Sequence, residues 1–115
     1  MPPPLKPGDV VTYALIGAVS SKRRPTVVIS SDLYHTNRPD VILATLTTQV
    51  ASATTPTGYI LQDWSAAGLK QPTAFRTYLG MASASDVQFI GDLSERDWQG
   101  VQACLARALA LPALF

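Results

Sequence analysis

Lys22-Arg23-Arg24-Pro25-Thr26-Val27-Val28-Ile29-Ser30-Ser31 is the stretch on which the reading of the fold turns. Three consecutive cations run into a proline, and the most β-branched run of the chain follows. Proline fixes its own φ and disfavours helical backbone at the residue before it, so Arg24 must lie extended. Thr26 to Ile29 suit a buried strand, because β-branched side chains fit a pleated surface and no charge interrupts them. The spacing predicts a strand over Thr26–Ser31 with Arg24 held at its mouth. A side chain placed on an element's end is held precisely enough to serve a site.

Outward from this stretch the signals repeat. Met1–Pro7 is proline-rich and reads as extended, and Pro7-Gly8-Asp9 is a turn before a strand over Val10–Ile16. Gly17–Arg24 reads as a basic loop and Ser31–Asp40 as a polar connection. A third strand is expected over Val41–Thr48, its alternation setting Thr45 and Thr47 on one face and Leu46 and Thr48 on the other. Ala51–Thr57 reads as a loop of small residues and Gly58–Leu61 as a fourth strand. Asp63–Leu69 suits one helical turn, capped by Asp63 and closed by Gly68. Strands over Thr73–Leu79 and Val87–Ile90 complete six, a count and spacing that suggest a small barrel or rolled sheet.

One helix is expected, over residues 94–111. Ser94 and Asp97 resemble a capping box, and Trp98, Val101, Leu105, Ala108 and Leu109 recur at helical spacing until Pro112. Cys104 falls on or near its core side, where a buried thiol is the ordinary outcome. The apolar tail Leu111–Phe115 should be covered by the barrel or by a partner.

At 115 residues the chain reads as one domain, 47% hydrophobic and 15% charged. A lone cysteine excludes an internal disulfide framework and a multi-thiolate metal site, and points to the cytoplasm. No secretory signal is visible behind Met1. The uncharged stretch Val41–Gln62 is studded with polar residues and broken by Pro56 and Gly58, so no membrane span is expected. Net charge is +1 but uneven: seven cations face four acids up to residue 80, and two face four beyond it. Such a basic face is compatible with a polyanionic partner.

Arg24 reads either as a surface arginine beside a turn or as a guanidinium clamping a phosphate bidentately. Thr47 and Thr48 are ordinary strand residues or hydroxyl donors to a phosphate or sugar, and Gln49 either caps the strand or reads a base edge. His35 has no second histidine or cysteine at ligand spacing. Asp9, Asp32 and Asp40 do not form a metal loop, and no glycine-rich phosphate loop, Gly-x-Ser-x-Gly elbow or zinc pattern is present.

The order of these pieces resembles the MazF/PemK (Kid) family of toxins from type II toxin–antitoxin modules. The matching pieces are Pro7-Gly8-Asp9-Val10-Val11, Arg24-Pro25-Thr26-Val27-Val28-Ile29-Ser30 and Leu46-Thr47-Thr48-Gln49. Ala67-Gly68-Leu69 with Pro72-Thr73, and Ile90-Gly91-Asp92-Leu93-Ser94, continue the series, so that it spans residues 7 to 94. The resemblance implies a mainly β, SH3-like small barrel of the CcdB/Kid/MazF type with a C-terminal helix, working as a homodimer. It implies a metal-independent endoribonuclease without cofactor that cuts single-stranded RNA through the ribose 2′-hydroxyl and is blocked by an antitoxin. Arg24 and Thr47 fall on the family's catalytic pair; Lys22, Arg23, Thr48, Gln49 and Arg76 would contact RNA. Thr45 stands where many members have proline. Gly80–Ser85 lacks the second arginine and aspartate that some relatives carry, which leaves an RNA- or protein-binding module as the rival reading. A gyrase-directed toxin is disfavoured, because those relatives end Trp-Gly-Ile and this chain ends Ala-Leu-Phe.

Overall fold

Paired valines set the frame. Val10 and Val11 are adjacent in strand β1 (Asp9–Ala14) and Val27 and Val28 in β2 (Arg23–Val28), so each pair sends one side chain to either face, and all four are fully buried. The computed structural model describes residues 4–14 and 23–111. After β2 come helix α1 (Asp32–Asn37), β3 (Asp40–Thr47), β4 (Gly58–Ile60), β5 (Ala74–Ser83), β6 (Gln88–Asp92) and helix α2 (Glu95–Ala108). All strand pairs are antiparallel, in the order β4-β5-β3-β2-β1-β6.

One face of this sheet carries Val10, Val27, Ala44, Leu46 and Phe75 against Val101 and Cys104 of α2. Tyr59 of β4 packs on the same cluster as Val10 of β1, although their strands stand near opposite ends of the order, so the sheet curls around the helix. The other face holds a smaller core of Val11, Val28, Val41, Leu43 and Ala82. The expected mainly β fold with a C-terminal helix is therefore the one observed.

Several boundaries differ, each for a physical reason. β2 begins at Arg23 rather than Thr26, because Arg24 and Pro25 already pair with Tyr13 and Thr12 of β1. Pairing with β3 starts only at Thr26, one residue past the proline that has no N–H to give. Ser31–Asp40 is not simply a polar connection: Ser31 caps α1 by accepting from the Tyr34 N–H at 3.2 Å. None of that helix's residues is buried, so apolar periodicity could not reveal it. A 3-10 turn (Val50–Ala53) opens the small-residue loop. β5 runs on to Ser83, its second half pairing Leu79 to Ser83 with Ala44 to Asp40. The stretch 15–22, which holds the end of the expected first strand and most of the basic loop, lies outside the described residues.

The helix cap is half of the expected box. Ser94 Oγ accepts from the Asp97 N–H at 3.3 Å, but the Asp97 carboxylate does not reach back. Fully buried, it instead accepts from the Tyr59 hydroxyl at 2.9 Å and from the N–H groups of Gln62 and Asp63 at 3.0 and 2.8 Å. This binds α2 to the end of β4 and the turn after it. The Asp63 side chain likewise does not cap its own turn. It accepts from the Ser94 hydroxyl at 2.5 Å and from Arg96 Nε and Nη2 at 2.9 Å each. Gly68 does close the turn, at φ +90°, and a Cβ there would lie 2.5 Å from the Ile90 carbonyl oxygen. Towards the helix end Ala108 and Leu109 are exposed rather than core, and Leu111 is 70% exposed. Residues 112–115, the rest of the apolar tail, are outside the described residues.

Candidate functional site

Alternation along β2 separates its two arginines. Arg23 turns to one face, where Nε donates to Thr12 Oγ1 at 3.0 Å and Nη2 to the carbonyls of Thr12 and Asp86 at 2.6 and 3.0 Å. Its guanidinium thus pins β1 and the turn before β6. Arg24 turns to the other face with Thr26, whose hydroxyl donates to the Val11 carbonyl at 3.2 Å. The exposed Arg24 guanidinium makes no hydrogen bond or ion pair with any described residue.

The facing strand supplies hydroxyls. Thr26 pairs with Thr45, Val27 with Ala44 and Val28 with Leu43. The pairing stops at Thr26 and Thr45; Arg24 lies two residues before the one and Thr47 two after the other, on the same face of their strands. Thr47 Oγ1 accepts from the Gln49 N–H at 3.1 Å, so its own hydrogen is left to point elsewhere. Thr48 and Gln49 lie exposed just past the strand end, where the Gln49 carbonyl takes Ser52 N–H and Oγ at 3.0 and 2.7 Å.

Beside Arg24 lies a cavity of about 270 Å³, walled by Tyr13, Thr26, Leu43, Thr45 and the Tyr78–Met81 stretch. Its shape comes from an irregularity in β5. Ala44 pairs with Leu79 and Leu46 with Phe75, so Arg76, Thr77 and Tyr78 together face the single residue Thr45. The extra residues interrupt the regular ladder there. Arg76 lines a neighbouring hollow of about 250 Å³ with Ser52, Thr55 and Thr57, and Tyr78 stands in the wall of both. Arg24 and Thr45 thus share a cavity, Thr47 is not among its walls, Arg76 lies beyond Tyr78, and Lys22 lies outside the described residues. His35 is an internal tie: its ring nitrogens lie 2.5 Å from Ser30 Oγ and 3.0 Å from the Leu5 carbonyl. Among the described residues, no three His, Cys, Asp or Glu side chains are grouped to hold a metal ion.

The family model for PemK-like, MazF-like toxins of type II toxin–antitoxin systems matches residues 6–109. The chain belongs to this family.

The toxin's fold is also that of several solved structures. An endoribonuclease from a mycobacterial species is 20% identical, at a TM-score of 0.73 over 96% of each chain. A mycobacterial endoribonuclease in complex with its cognate antitoxin is 17% identical, at 0.71 over 95% of this chain and 96% of that one. A MazE–MazF complex from Deinococcus radiodurans is 14% identical, at 0.75 over 94% and 98%. Comparison with curated proteins gives no match.

Two residues of the cavity beside Arg24 have no candidate role in the sequence. Thr45 was placed on the face of Thr47 without a role, and Tyr78 was one residue of an ordinary strand. An exposed tyrosine amid Arg76-Thr77-Tyr78 was the available signal; the shift in pairing that brings it beside Arg24 has no local sequence mark.

Proposed function

We propose that the toxin is an endoribonuclease that cuts single-stranded RNA without a metal ion, with Arg24 and Thr47 as its catalytic residues. The observation that carries this reading is the exposed Arg24 guanidinium beside a cavity, without a hydrogen bond or ion pair to any described residue. The neighbours described as endoribonucleases support it. In the reaction the ribose 2′-oxygen bonds to the adjacent phosphorus and gives up its proton. The bond to the 5′-oxygen breaks, and that oxygen takes a proton, leaving a 2′,3′-cyclic phosphate and a 5′-hydroxyl. Negative charge builds on the non-bridging oxygens, and fixed donors aimed at them are the largest source of rate. Arg24 supplies a planar pair of N–H donors, and Thr47 donates its hydroxyl to a second oxygen.

Arg76 and Lys22 hold neighbouring phosphates, and Thr48 and Gln49 contact the bases or sugars at the strand end. Arg23, whose guanidinium is bonded within the chain, adds charge rather than a clamp. A homodimer in the cytoplasm, blocked by a cognate antitoxin, completes the reading. No helix among the described residues is long and apolar enough to cross a membrane. The test is incubation of the purified protein with a long single-stranded RNA in EDTA, followed by mapping of fragment ends. Discrete cuts with cyclic-phosphate ends that vanish in Arg24→Ala support the reading; intact RNA from folded, antitoxin-free protein overturns it.

A further inference from the structure

The Thr45 hydroxyl is buried, lies in the wall of the cavity beside Arg24, and has no hydrogen-bond partner among the described residues. A buried, unsatisfied hydroxyl costs the fold stability, and valine would fill the same volume without that cost. Around it the cavity is mostly apolar, with Leu43, Leu79 and Met81, and its rim carries Tyr78, 66% exposed. Tyr78 also separates this cavity from the hollow of Arg76, so an aromatic ring stands between two arginines.

We infer that this cavity is a nucleobase pocket, in which an unpaired RNA base stacks on Tyr78 and presents its edge to the Thr45 hydroxyl. The inference rests on the proposed ribonuclease reading and extends it to base selection. The chemistry fits each wall. Every base has a flat π-face, so stacking on an aromatic ring gives affinity without sequence preference. Sequence preference comes from a polar group that is satisfied only by the right edge, and a buried hydroxyl discriminates strongly because the wrong base leaves it unpaired. Arg24 and Arg76 hold the flanking phosphates, and Tyr78, within the irregular part of β5, lines the hollows of both.

Two measurements on the full chain test this, for the parent and for Thr45→Val, Tyr78→Phe and Tyr78→Ser. One maps cut sites on a long single-stranded RNA. The other reads fluorescence anisotropy with short 2′-O-methyl homopolymers of each base, which lack the nucleophile and are not cut. The expected result is that Thr45→Val relaxes preference at one position of the cut motif. It weakens the preferred homopolymer about tenfold, with a melting temperature equal to or above the parent's. Tyr78→Ser weakens all the homopolymers about tenfold, and Tyr78→Phe keeps their affinity. If the parent cuts but Thr45→Val and Tyr78→Ser keep its motif and affinities, the pocket is overturned and the ribonuclease reading stands. If the parent binds without cutting and the variants lose binding, the pocket stands and cleavage falls. Absence of both cutting and binding overturns both. A Tyr78→Ser protein that sediments at a lower mass, with base preference unchanged in Thr45→Val, shows the face to be an interface between copies and overturns the pocket.

Discussion

Two adjacent arginines with opposite surroundings give the sharpest expectation at the level of single residues. Arg24→Ala removes a guanidinium with no partner in the described chain, so cleavage should fall by about 10²–10³-fold while the melting temperature stays near the parent's. Arg23→Ala removes three hydrogen bonds to Thr12 and Asp86, so it should lower stability by roughly 1–2 kcal/mol. Thermal melts and single-turnover rates of the two variants, read together, check the pair; equal effects on both properties would refute the division of labour. Thr47→Val keeps volume and removes one donor, and a fall in rate of about 10–100-fold with unchanged RNA affinity is the expected outcome. Arg24 was legible in the sequence because proline announces the backbone before it. Thr45 was not, because its importance lies in a missing hydrogen bond, which only the assembled neighbourhood reveals.

Among the elements, the junction of α2 with the turn after β4 is held by two carboxylates in different ways. Asp97→Ala would leave the Tyr59 hydroxyl and two backbone N–H groups without their acceptor. A loss of about 3 kcal/mol in urea unfolding is expected. Burial, and next the bond to Asp97, push the Tyr59 phenol above its ordinary range. Asp63 is more exposed, and its carboxyl is held below the usual carboxylate range by Arg96 first and by the Ser94 hydroxyl second. A lowered folded-state value means that this contribution is complete above the ordinary carboxylate range and is lost as pH falls through the lowered value. The stability gap between the parent and Asp63→Asn should therefore be widest near pH 7 and shrink as pH drops below about 4. Melts across that range measure it, and a gap independent of pH would contradict the assignment. Burial raises the Asp9 carboxyl, which acts in the opposite direction, so the difference between the two proteins isolates Asp63. The strands and α2 were readable from β-branched runs and a helical period. α1 escaped because an exposed short helix carries no apolar stripe, and the second half of β5 because Gly80-Met81-Ala82-Ser83 has little β-propensity of its own. Pairing with β3 holds that half extended.

For the molecule as a whole, the expectation is a dimer. Leu33, Phe89 and Leu111 are each more than half exposed and lie outside the proposed base pocket, an apolar surface that a second copy would cover in part. Sedimentation at micromolar concentration should give twice the 12.3 kDa chain mass, and a monomer would contradict it. The succession of strands along the chain and the closing helix were visible in the sequence, since each announces itself locally, whereas their pairing in the sheet was not. The pairing shift opposite Thr45 is set by how two distant strands settle against each other, and nothing within either segment records it.

The split between Arg23 and Arg24 also bears on how this protein can change over generations. The faces of β2 are assigned by counting residues back from Thr26, whose pairing with Thr45 is fixed by the core behind it. Residues added or lost before Arg23 leave that count untouched. A single residue inserted between Arg24 and Pro25 would hand Arg24 the internal seam and present a newcomer to the cavity. At this junction the length of the chain decides which side chain meets the cavity.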